Sequence, residues 1–277
     1  MKLDGLQLMI GLLCAVVIAA VAWRAHSLSR SGAVAAALMG TVIFGLGGLP
    51  WAVLMMVFFI TSSFLSRFLG KRKAALNEKF SKGSQRDAGQ VLANGGIAAL
   101  LVLPLLFFPH AALLWLGFSG TLAAANADTW ATELGVLSRS GAVLISSGKA
   151  VERGTSGGIS VFGTLAAFCG ALLIGLFSAF FWTQVTGLPD SLPGFCLRAL
   201  GVAGVGLAGS LFDSWLGATM QAIYNCPSCH KETERHPLHT CGTPTTQVRG
   251  LSWLDNDWVN IGCTLVGGLL GLLISFI

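Results

Sequence analysis

The chain has 277 residues, of which 54% are hydrophobic and 10% charged, and its mean hydropathy is +0.74. Soluble domains carry about 25% charged residues, so this composition excludes an ordinary soluble protein and indicates a polytopic membrane protein. The net charge of +5 does not indicate a nucleic-acid partner, because basic residues beside membrane spans mainly set their orientation.

Apolar runs of membrane-spanning length follow one another along the whole chain. We therefore predict an all-α bundle of about eight transmembrane helices, in which residues 1–277 form a single integral membrane domain. The predicted spans are 5–23, 32–49, 51–69, 89–108, 110–134, 157–182, 194–222 and 257–277. Only Gly47-Gly48-Leu49-Pro50 separates the second span from the third. The first run resembles a signal peptide, but Asp4 offsets Lys2, and we interpret it as a retained span.

The distribution of Lys and Arg predicts the orientation, because cytoplasmic loops carry an excess of basic residues. With the N-terminus outside, every one of the 17 Lys and Arg residues except Lys2 and Arg198 lies on the cytoplasmic side. We predict a multi-pass protein of the cell's inner or plasma membrane with both termini extracytoplasmic. Polar groups from five segments then meet at the cytoplasmic boundary, and we expect the active site there.

The fifth and seventh predicted spans carry Asp128 and Asp213 near their cytoplasmic ends. An ionisable residue inside a membrane costs about 3 kcal/mol on insertion scales, so it points to a functional site. The C-terminal end of a helix also disfavours a negative charge, so a compensating cation is expected. Arg86, Lys149 and Arg153 are candidates, and Mg²⁺ is another because it prefers carboxylate, water and phosphate oxygens.

Further residues complete the predicted magnesium and catalytic groups. The predicted Mg²⁺ ligands are Asp128, Asp213, Glu133 and Asp257, and the predicted catalytic residues are Arg86, Asp87, Asp128, Arg153 and Asp213. A stripe of small residues shares one helix face with Asp213, which lets a neighbouring helix approach and places Asp213 inside the bundle. The stripe consists of Gly206, Gly209, Ser210 and Gly217.

A glycine-rich turn precedes the sixth predicted span. Such a turn at a helix N-terminus offers free N–H groups and a positive dipole end, which suit a phosphate. The predicted phosphate- or nucleotide-binding residues are Lys149, Gly154, Thr155, Ser156, Gly157, Gly158 and Asn94. Together with the aspartates, they suit phosphoryl or nucleotidyl transfer, in which a metal and cations hold the phosphate charge.

The segment between the last two spans is rich in Cys and His. A C-x₂-C pair followed by His-x-Cys has the character of a zinc site, and disulfides are unusual on the cytoplasmic side. We predict a cytoplasmic zinc-binding insertion over residues 223–252 with a structural Zn²⁺. The predicted ligands are Cys226, Cys229, His239 and Cys241, with His236 and His230 as alternative fourth ligands.

Four segments resemble the family of vertebrate transmembrane protein 19 and plant phytyl-phosphate kinase. They are Arg86–Gly96, Ala127–Gly135, Gly154–Gly158 and Cys226–Asn260. More distantly, Asp128-x-x-Ala131-x-x-x-Gly135 before a basic, glycine-rich segment is similar to dolichol kinases and CDP-diacylglycerol synthases, which use CTP and Mg²⁺ on membrane lipids. This chain lacks their Lys-rich signature, so the nucleotide stays open.

The resemblance implies a kinase that converts a phytyl- or polyprenyl-type monophosphate to a diphosphate. Its partners would be the membrane lipid and a nucleoside triphosphate, such as CTP, and a homo-oligomer is compatible with this reading. The alternative is a lipid or small-molecule transporter without kinase activity, because Asp128 and Asp213 lie in similar Asp-Ser/Thr-Trp segments on parallel spans. Clustering of the charges at one membrane face, away from the midplane, favours the kinase.

Overall fold

The computed structural model describes residues 5–69, 85–108, 112–138 and 141–274. Lys2, Arg139 and most of the predicted cytoplasmic loop Lys71–Arg86 lie outside the described residues. The described helices are α1 (Gly5–Arg24), α2 (Arg30–Val42), α3 (Leu49–Leu69), α4 (Ala88–Val102), α5 (Ala112–Gly135), α6 (Val161–Phe180), α7 (Trp182–Thr186), α8 (Leu192–Thr219) and α9 (Asn256–Leu273).

Six helical segments in the described ranges are long and apolar enough to cross a membrane. They are α1, α2 with the π-helical turn Ile43–Gly47, α3, α4 with the 3₁₀ turn Leu103–Leu106, α6 and α8. The other two predicted spans are also helical, but α5 and α9 are less apolar. The burial of α5 accounts for its lower hydropathy, since it packs against five other long helices, whereas α9 contains Asn256, Asp257 and Asn260 in its first turns and keeps an exposed apolar face at Leu265, Leu269 and Leu273.

The centre of the bundle is α5, which packs against α3, α4, α6, α8 and α9. Every residue from Leu114 to Ala127 is buried. Small residues allow this crowding: a Cβ added at Gly206 or Gly209 of α8 would lie within 2.7 Å of an alanine side chain of α5. The predicted small-residue stripe therefore does bring α8 close to its neighbour, and Asp213 follows one turn later.

The break between α2 and α3 lies at the predicted glycine-rich segment. At the π-helical turn Ile43–Gly47, Gln7 of α1 donates from Nε2 to the carbonyls of Phe44 and Gly45, each at 3.1 Å, and the carbonyl of Phe44 also accepts from the N–H of Gly48 at 2.8 Å. Gly48 then takes a φ of +79°, a conformation that favours glycine, and α3 begins at Leu49.

The prediction of an all-α fold was wrong in one respect, since the described residues also form two three-stranded antiparallel sheets. The first sheet contains β1 (Ala142–Leu144), β2 (Ala150–Val151) and β3 (Gly158–Ile159), in the order β2-β1-β3. The second sheet contains β4 (Ile223–Cys226), β5 (Lys231–Thr233) and β6 (Thr246–Arg249), in the order β5-β4-β6. Strands of two to four residues are too short to show a period in the sequence.

Candidate functional site

A polar cavity of about 450 Å³ lies where α4, α5, α6, α8 and α9 meet the first sheet. Most of the predicted site residues line it, although they come from segments far apart in the sequence. Those residues are Arg86, Asn94, Asp128, Glu133, Arg153, Gly154, Thr155, Ser156, Gly157, Gly158 and Asp213. The bundle and the first sheet thus bring carboxylates, cations and a glycine-rich turn to one place.

Three predicted site residues, Asp87, Lys149 and Asp257, are not among the lining residues. The Oδ1 atom of Asp87 accepts a hydrogen bond from the N–H of Gln90 at 2.9 Å, so this side chain caps α4. Lys149 is exposed beside the turn between β1 and β2. Asp257 lies in the first turn of α9, where its neighbour Asn256 lines the cavity instead. None of these three residues lines the cavity, and their predicted roles stay predictions.

The carboxylates of Asp128, Asp213 and Glu234 form an acidic group in the cavity. Asp128 and Glu234 are both close enough to Asp213 to interact with it electrostatically. Within the described part of the chain, Oδ2 of Asp213 is buried and has no hydrogen-bond partner. An unpaired buried oxygen of this kind is costly, and a divalent cation is one ligand that would satisfy it.

Glu234 was not predicted from the sequence. It follows β5 in the Cys/His-rich segment, and nothing in its spacing relates it to the aspartates of α5 and α8. In the structure, Nε2 of Gln221 donates to Oε1 of Glu234 at 3.0 Å, and both residues line the cavity. The segment predicted only to bind zinc therefore also contributes a carboxylate to the candidate site.

Arg86 and Glu133 form a second, oppositely charged group in the cavity. The guanidinium carbon of Arg86 lies 5.8 Å from the centroid of the Phe58 ring, and Oγ of Ser66 donates to Oε1 of Glu133 at 2.9 Å. Burial lowers the pKa of Arg86 to about 10, and attraction to Glu133 partly opposes this change. Because this pKa is still well above neutrality, Arg86 stays cationic and suits a phosphate oxygen.

The turn Gly154–Gly158 joins β2 to β3 and packs against the end of α8. Gly157 has a φ of +82°, and a Cβ there would lie 2.4 Å from the Cα of Ala218, so only glycine fits. The hydroxyl of Ser156 is directed to Oε1 of Gln221 at 2.5 Å. Ser156, which is predicted to bind phosphate, lines the cavity, and its contact with Gln221 holds the turn against the chain that follows α8.

The N-terminus of α6 also borders the cavity. The predicted sixth span started at residue 157, whereas the helix begins at Val161 because β3 occupies Gly158–Ile159. Ser160 is the N-cap, and its Oγ accepts from the N–H of Gly163 at 3.1 Å. Ser160, Gly163 and Thr164 line the cavity, so the positive end of the helix dipole faces it.

The predicted zinc ligands Cys226, Cys229, His239 and Cys241 come together beside the second sheet. Their ligand atoms all lie within 4.8 Å of one another, so this Cys₃His cluster could hold a metal ion. Hydrogen bonding with Thr243 and His239 lowers the pKa of Cys241 to about 5, which favours the thiolate that metals bind. A tetrahedral set of three sulfurs and one nitrogen fits Zn²⁺.

The two alternative zinc ligands have other positions. The ring of His236 stacks on that of Tyr224, with centroids 4.5 Å apart and an interplanar angle of 14°. His230 follows Cys229 with a φ of +52°, and its N–H donates to the carbonyl of Cys226 at 2.8 Å. Neither belongs to the four-residue cluster, so His239 is the histidine that the fold places with the three cysteines.

Comparison with known proteins identifies relatives along nearly the whole chain. An uncharacterised membrane protein of Methanocaldococcus jannaschii is 31% identical over 270 residues, which are 97% of this chain and 94% of that protein. Protein PGR of Arabidopsis thaliana is 33% identical over 90% of this chain and 89% of its own length. Protein VTE6, a chloroplastic protein of Arabidopsis thaliana, is 24% identical over 90% of this chain and 65% of its own length.

No solved structure matches the chain. Residues 13–268 match the family model described as "Integral membrane protein DUF92". This match covers α2 to α8, most of α1 and α9, both sheets and the residues that line the polar cavity. The chain therefore belongs to the DUF92 family of integral membrane proteins.

Proposed function

We propose that this protein is a membrane-embedded isoprenyl-phosphate kinase, which transfers a phosphoryl group from a nucleoside triphosphate to a phytyl- or polyprenyl-type lipid monophosphate. The observation that carries the proposal is the polar cavity, in which Asp128, Asp213 and Glu234 lie with Arg86 and Arg153. Phosphoryl transfer depends on such a set, because its catalysis is mainly positioning and electrostatic stabilisation. The sequence resemblance supplies the substrate class.

The acidic group of Asp128, Asp213 and Glu234 would hold Mg²⁺. When bound, the ion would neutralise the charge on the phosphate oxygens. The buried Oδ2 of Asp213 supports this assignment, because its environment suits a cation. Glu133, predicted as a further metal ligand, interacts with Arg86, and this contact suits it to hold the guanidinium in place.

The cations and the N-terminus of α6 would bind the two phosphate groups. Arg86 lies deep in the cavity, whereas Arg153 is exposed at its edge. We assign Arg86 to the lipid monophosphate, which enters from the membrane, and Arg153 with Gly154–Gly158 to the nucleotide, which enters from water. The helix dipole of α6 favours negative charge between them.

The membrane arrangement that fits this chemistry has eight spans. At 1.5 Å per residue, the 24 residues of α5 and the 18 of α9 reach about 36 Å and 27 Å, close to the roughly 30 Å of a hydrocarbon core. Both sheets then lie on the cytoplasmic side with the cavity. The exposed Trp215, Trp253 and Trp258 support this placement, because tryptophan is enriched at membrane interfaces.

We further propose that the Cys₃His cluster binds a structural Zn²⁺. The second sheet is too small to build a hydrophobic core of its own, and a metal commonly stabilises such small units. The cluster lies at one end of β4, and the chain after the other end of this sheet leads into α9. Zinc would thereby keep Glu234 and Gln221 in place at the polar cavity.

The test uses purified protein in detergent with Mg²⁺, each common nucleoside triphosphate, and phytyl or geranylgeranyl monophosphate. Mass spectrometry should detect the lipid diphosphate. Asp128→Asn removes one proposed metal ligand at constant size and should lower the rate about 100-fold or more. The control Asp190→Asn changes an aspartate that pairs with Arg198 away from the cavity, and it should keep wild-type activity.

Two outcomes would contradict the kinase proposal. If Asp128→Asn kept wild-type turnover and unchanged Mg²⁺ dependence, the magnesium site would have to lie elsewhere in the protein. Lipid flux that needs an intact vesicle bilayer, together with no diphosphate from any nucleotide, would instead indicate the transporter.

A further inference from the structure

A second, apolar cavity of about 110 Å³ lies between α1, α2, α3 and α4. Its lining consists of small and apolar side chains apart from Arg86, Gln90 and Asn94. These same three residues also line the polar cavity. The two cavities are therefore neighbours that share one polar wall, and Arg86 provides the positive charge of that wall.

One side of the apolar cavity reaches the outer surface of the bundle. Cys14 and Ile18 of α1 line it, and both are exposed on the surface that would face lipid. Met39, Met55 and Met56 line its interior. Methionine is flexible and adapts to irregular apolar groups, so this cavity suits a hydrocarbon of variable conformation.

We propose that the apolar cavity binds the part of the hydrocarbon chain nearest the head group of a single-chain lipid phosphate, while the phosphate itself lies at Arg86. This inference rests on the proposed function and adds the position of the lipid's hydrocarbon chain. A lipid phosphate needs an anion-binding site directly beside an apolar site. The polar and apolar cavities meet this need, because they lie on the two sides of one shared wall. The remaining chain would pass alongside Cys14 and Ile18 of α1 into the membrane.

The size of the cavity separates single-chain from two-chain lipids. An engineered apolar cavity of about 150 Å³ holds one benzene molecule. A volume of about 110 Å³ therefore accommodates roughly one five-carbon isoprene unit, and it is too small for the paired acyl chains beside a glycerophospholipid head group. Isoprenyl phosphates, whose first unit follows the phosphate directly, match both the polar and the apolar cavity.

Photolabelling in lipid nanodiscs tests the position of the chain without requiring turnover. The probe is an isoprenyl monophosphate with a diazirine in its first isoprene unit, and labelled peptides are mapped by mass spectrometry. Labels should fall on α1 to α3, at residues such as Cys14, Ile18 and Met56. Unlabelled lipid monophosphate should compete with the probe, and the corresponding neutral alcohol should not. Labels confined to α6 and α8 would overturn the proposal.

Substitutions that fill the apolar cavity can be compared with matched substitutions outside it. Ala36 of α2 lines the apolar cavity and Ala37 does not, so Ala36→Leu should lower the labelling of α1 about tenfold, whereas Ala37→Leu should not. Ala52→Leu fills the same cavity from α3 and serves as a second variant, with thermal melts to establish that each protein folds.

The outcomes separate the two proposals. Wild-type labelling in both Ala36→Leu and Ala52→Leu would refute the chain site even if the kinase activity is present. Labelling that depends on the cavity, in a protein with no kinase activity, would support the chain site and refute the proposed reaction.

Discussion

Arg86 is a cation that the fold holds in a partly buried position. Burial lowers its pKa from 12.5 to about 10, and Glu133 opposes this change. Because the folded pKa lies below the unfolded value, burial costs stability at neutral pH, and this cost is recovered only as the pH rises through about 10. A charge retained under these conditions fits the phosphate-binding role proposed for Arg86.

The pH dependence of lipid binding should reveal this charge. Binding of a lipid monophosphate should be constant between about pH 8 and 9 and should weaken as the pH rises through about 10, where Arg86 loses its proton. The ordinary pKa of lysine is about 10.4, and burial would lower it, so Arg86→Lys should weaken binding at a lower pH. Photolabelling at each pH measures the effect.

The control Arg24→Lys changes an arginine outside the cavity and should keep the wild-type pH profile. Identical pH profiles for Arg86→Lys and wild type would contradict the phosphate-binding role of Arg86.

Asp128 and Asp213 could be found from the sequence because charged residues are rare in so apolar a chain, and Gly154–Gly158 because it directly precedes an apolar run of membrane-spanning length. Glu234 could not, because carboxylates are ordinary in the polar segment around it and only the packing of the second sheet brings it to α8. Asp87 was predicted within the segment Arg86–Gly96 that carries the family resemblance, and Lys149 as a cation close in sequence to the glycine-rich turn. The positions of their side chains depend on the cap of α4 and on the turn of the first sheet, which the sequence does not reveal.

Two glycines in the turns of the first sheet separate the effect of a positive φ angle from the effect of close packing. Gly148 and Gly157 both have positive φ angles, +67° and +82°, but an added Cβ at Gly148 meets nothing within 4 Å, whereas at Gly157 it meets the backbone of Ala218. Gly148→Ala should cost about 1 kcal/mol of stability through φ alone and leave phosphorylation nearly unchanged. Gly157→Ala should cost more and lower phosphorylation, because the turn must move away from α8. Equal effects in melting and activity assays would argue against this contact.

The Cys₃His cluster leads to a prediction about zinc and the position of the second sheet. Freshly purified protein should contain about one Zn²⁺ per chain if the four ligands form a closed site. Cys229→Ser should lose the metal and lower phosphorylation, because the second sheet then no longer fixes Glu234 near Asp213. Cys196→Ser makes the same substitution at an exposed cysteine of α8 and should keep both metal and activity. Elemental analysis without zinc in the wild type would contradict the assignment.

The helices were predictable from the sequence to within a few residues, whereas the strands were not. Runs of about 20 apolar residues carry a strong signal for α1, α3, α6 and α8. The short strands are instead defined by hydrogen bonds between residues such as Val143, Ala150 and Ile159, which the sequence alone does not pair. For that reason the start of α6 was predicted too early.

At the scale of the whole molecule, the orientation in the membrane is directly testable. An epitope inserted at Gly148, in the turn between β1 and β2, should be reached by antibody only after permeabilisation. One inserted at Leu188, in the exposed connection between α7 and α8, should be reached in intact cells. The physical basis is the excess of basic residues on the side of the first epitope. Staining at Gly148 in intact cells would reverse the proposed topology.

The burial of α5 also bears on how the protein is made. α5 emerges from the ribosome before α6, α8 and α9, the helices that later enclose its polar residues. Until α9 is synthesised, the polar end of α5 at Asp128 is incompletely enclosed and lies beside lipid, the translocation channel or an insertion chaperone, whereas Ser66 and Arg86, the partners of Glu133, precede α5 in the chain. A chain truncated before α9 should therefore be recognised by quality-control proteases, even though every helix with a strong apolar signal is already in place.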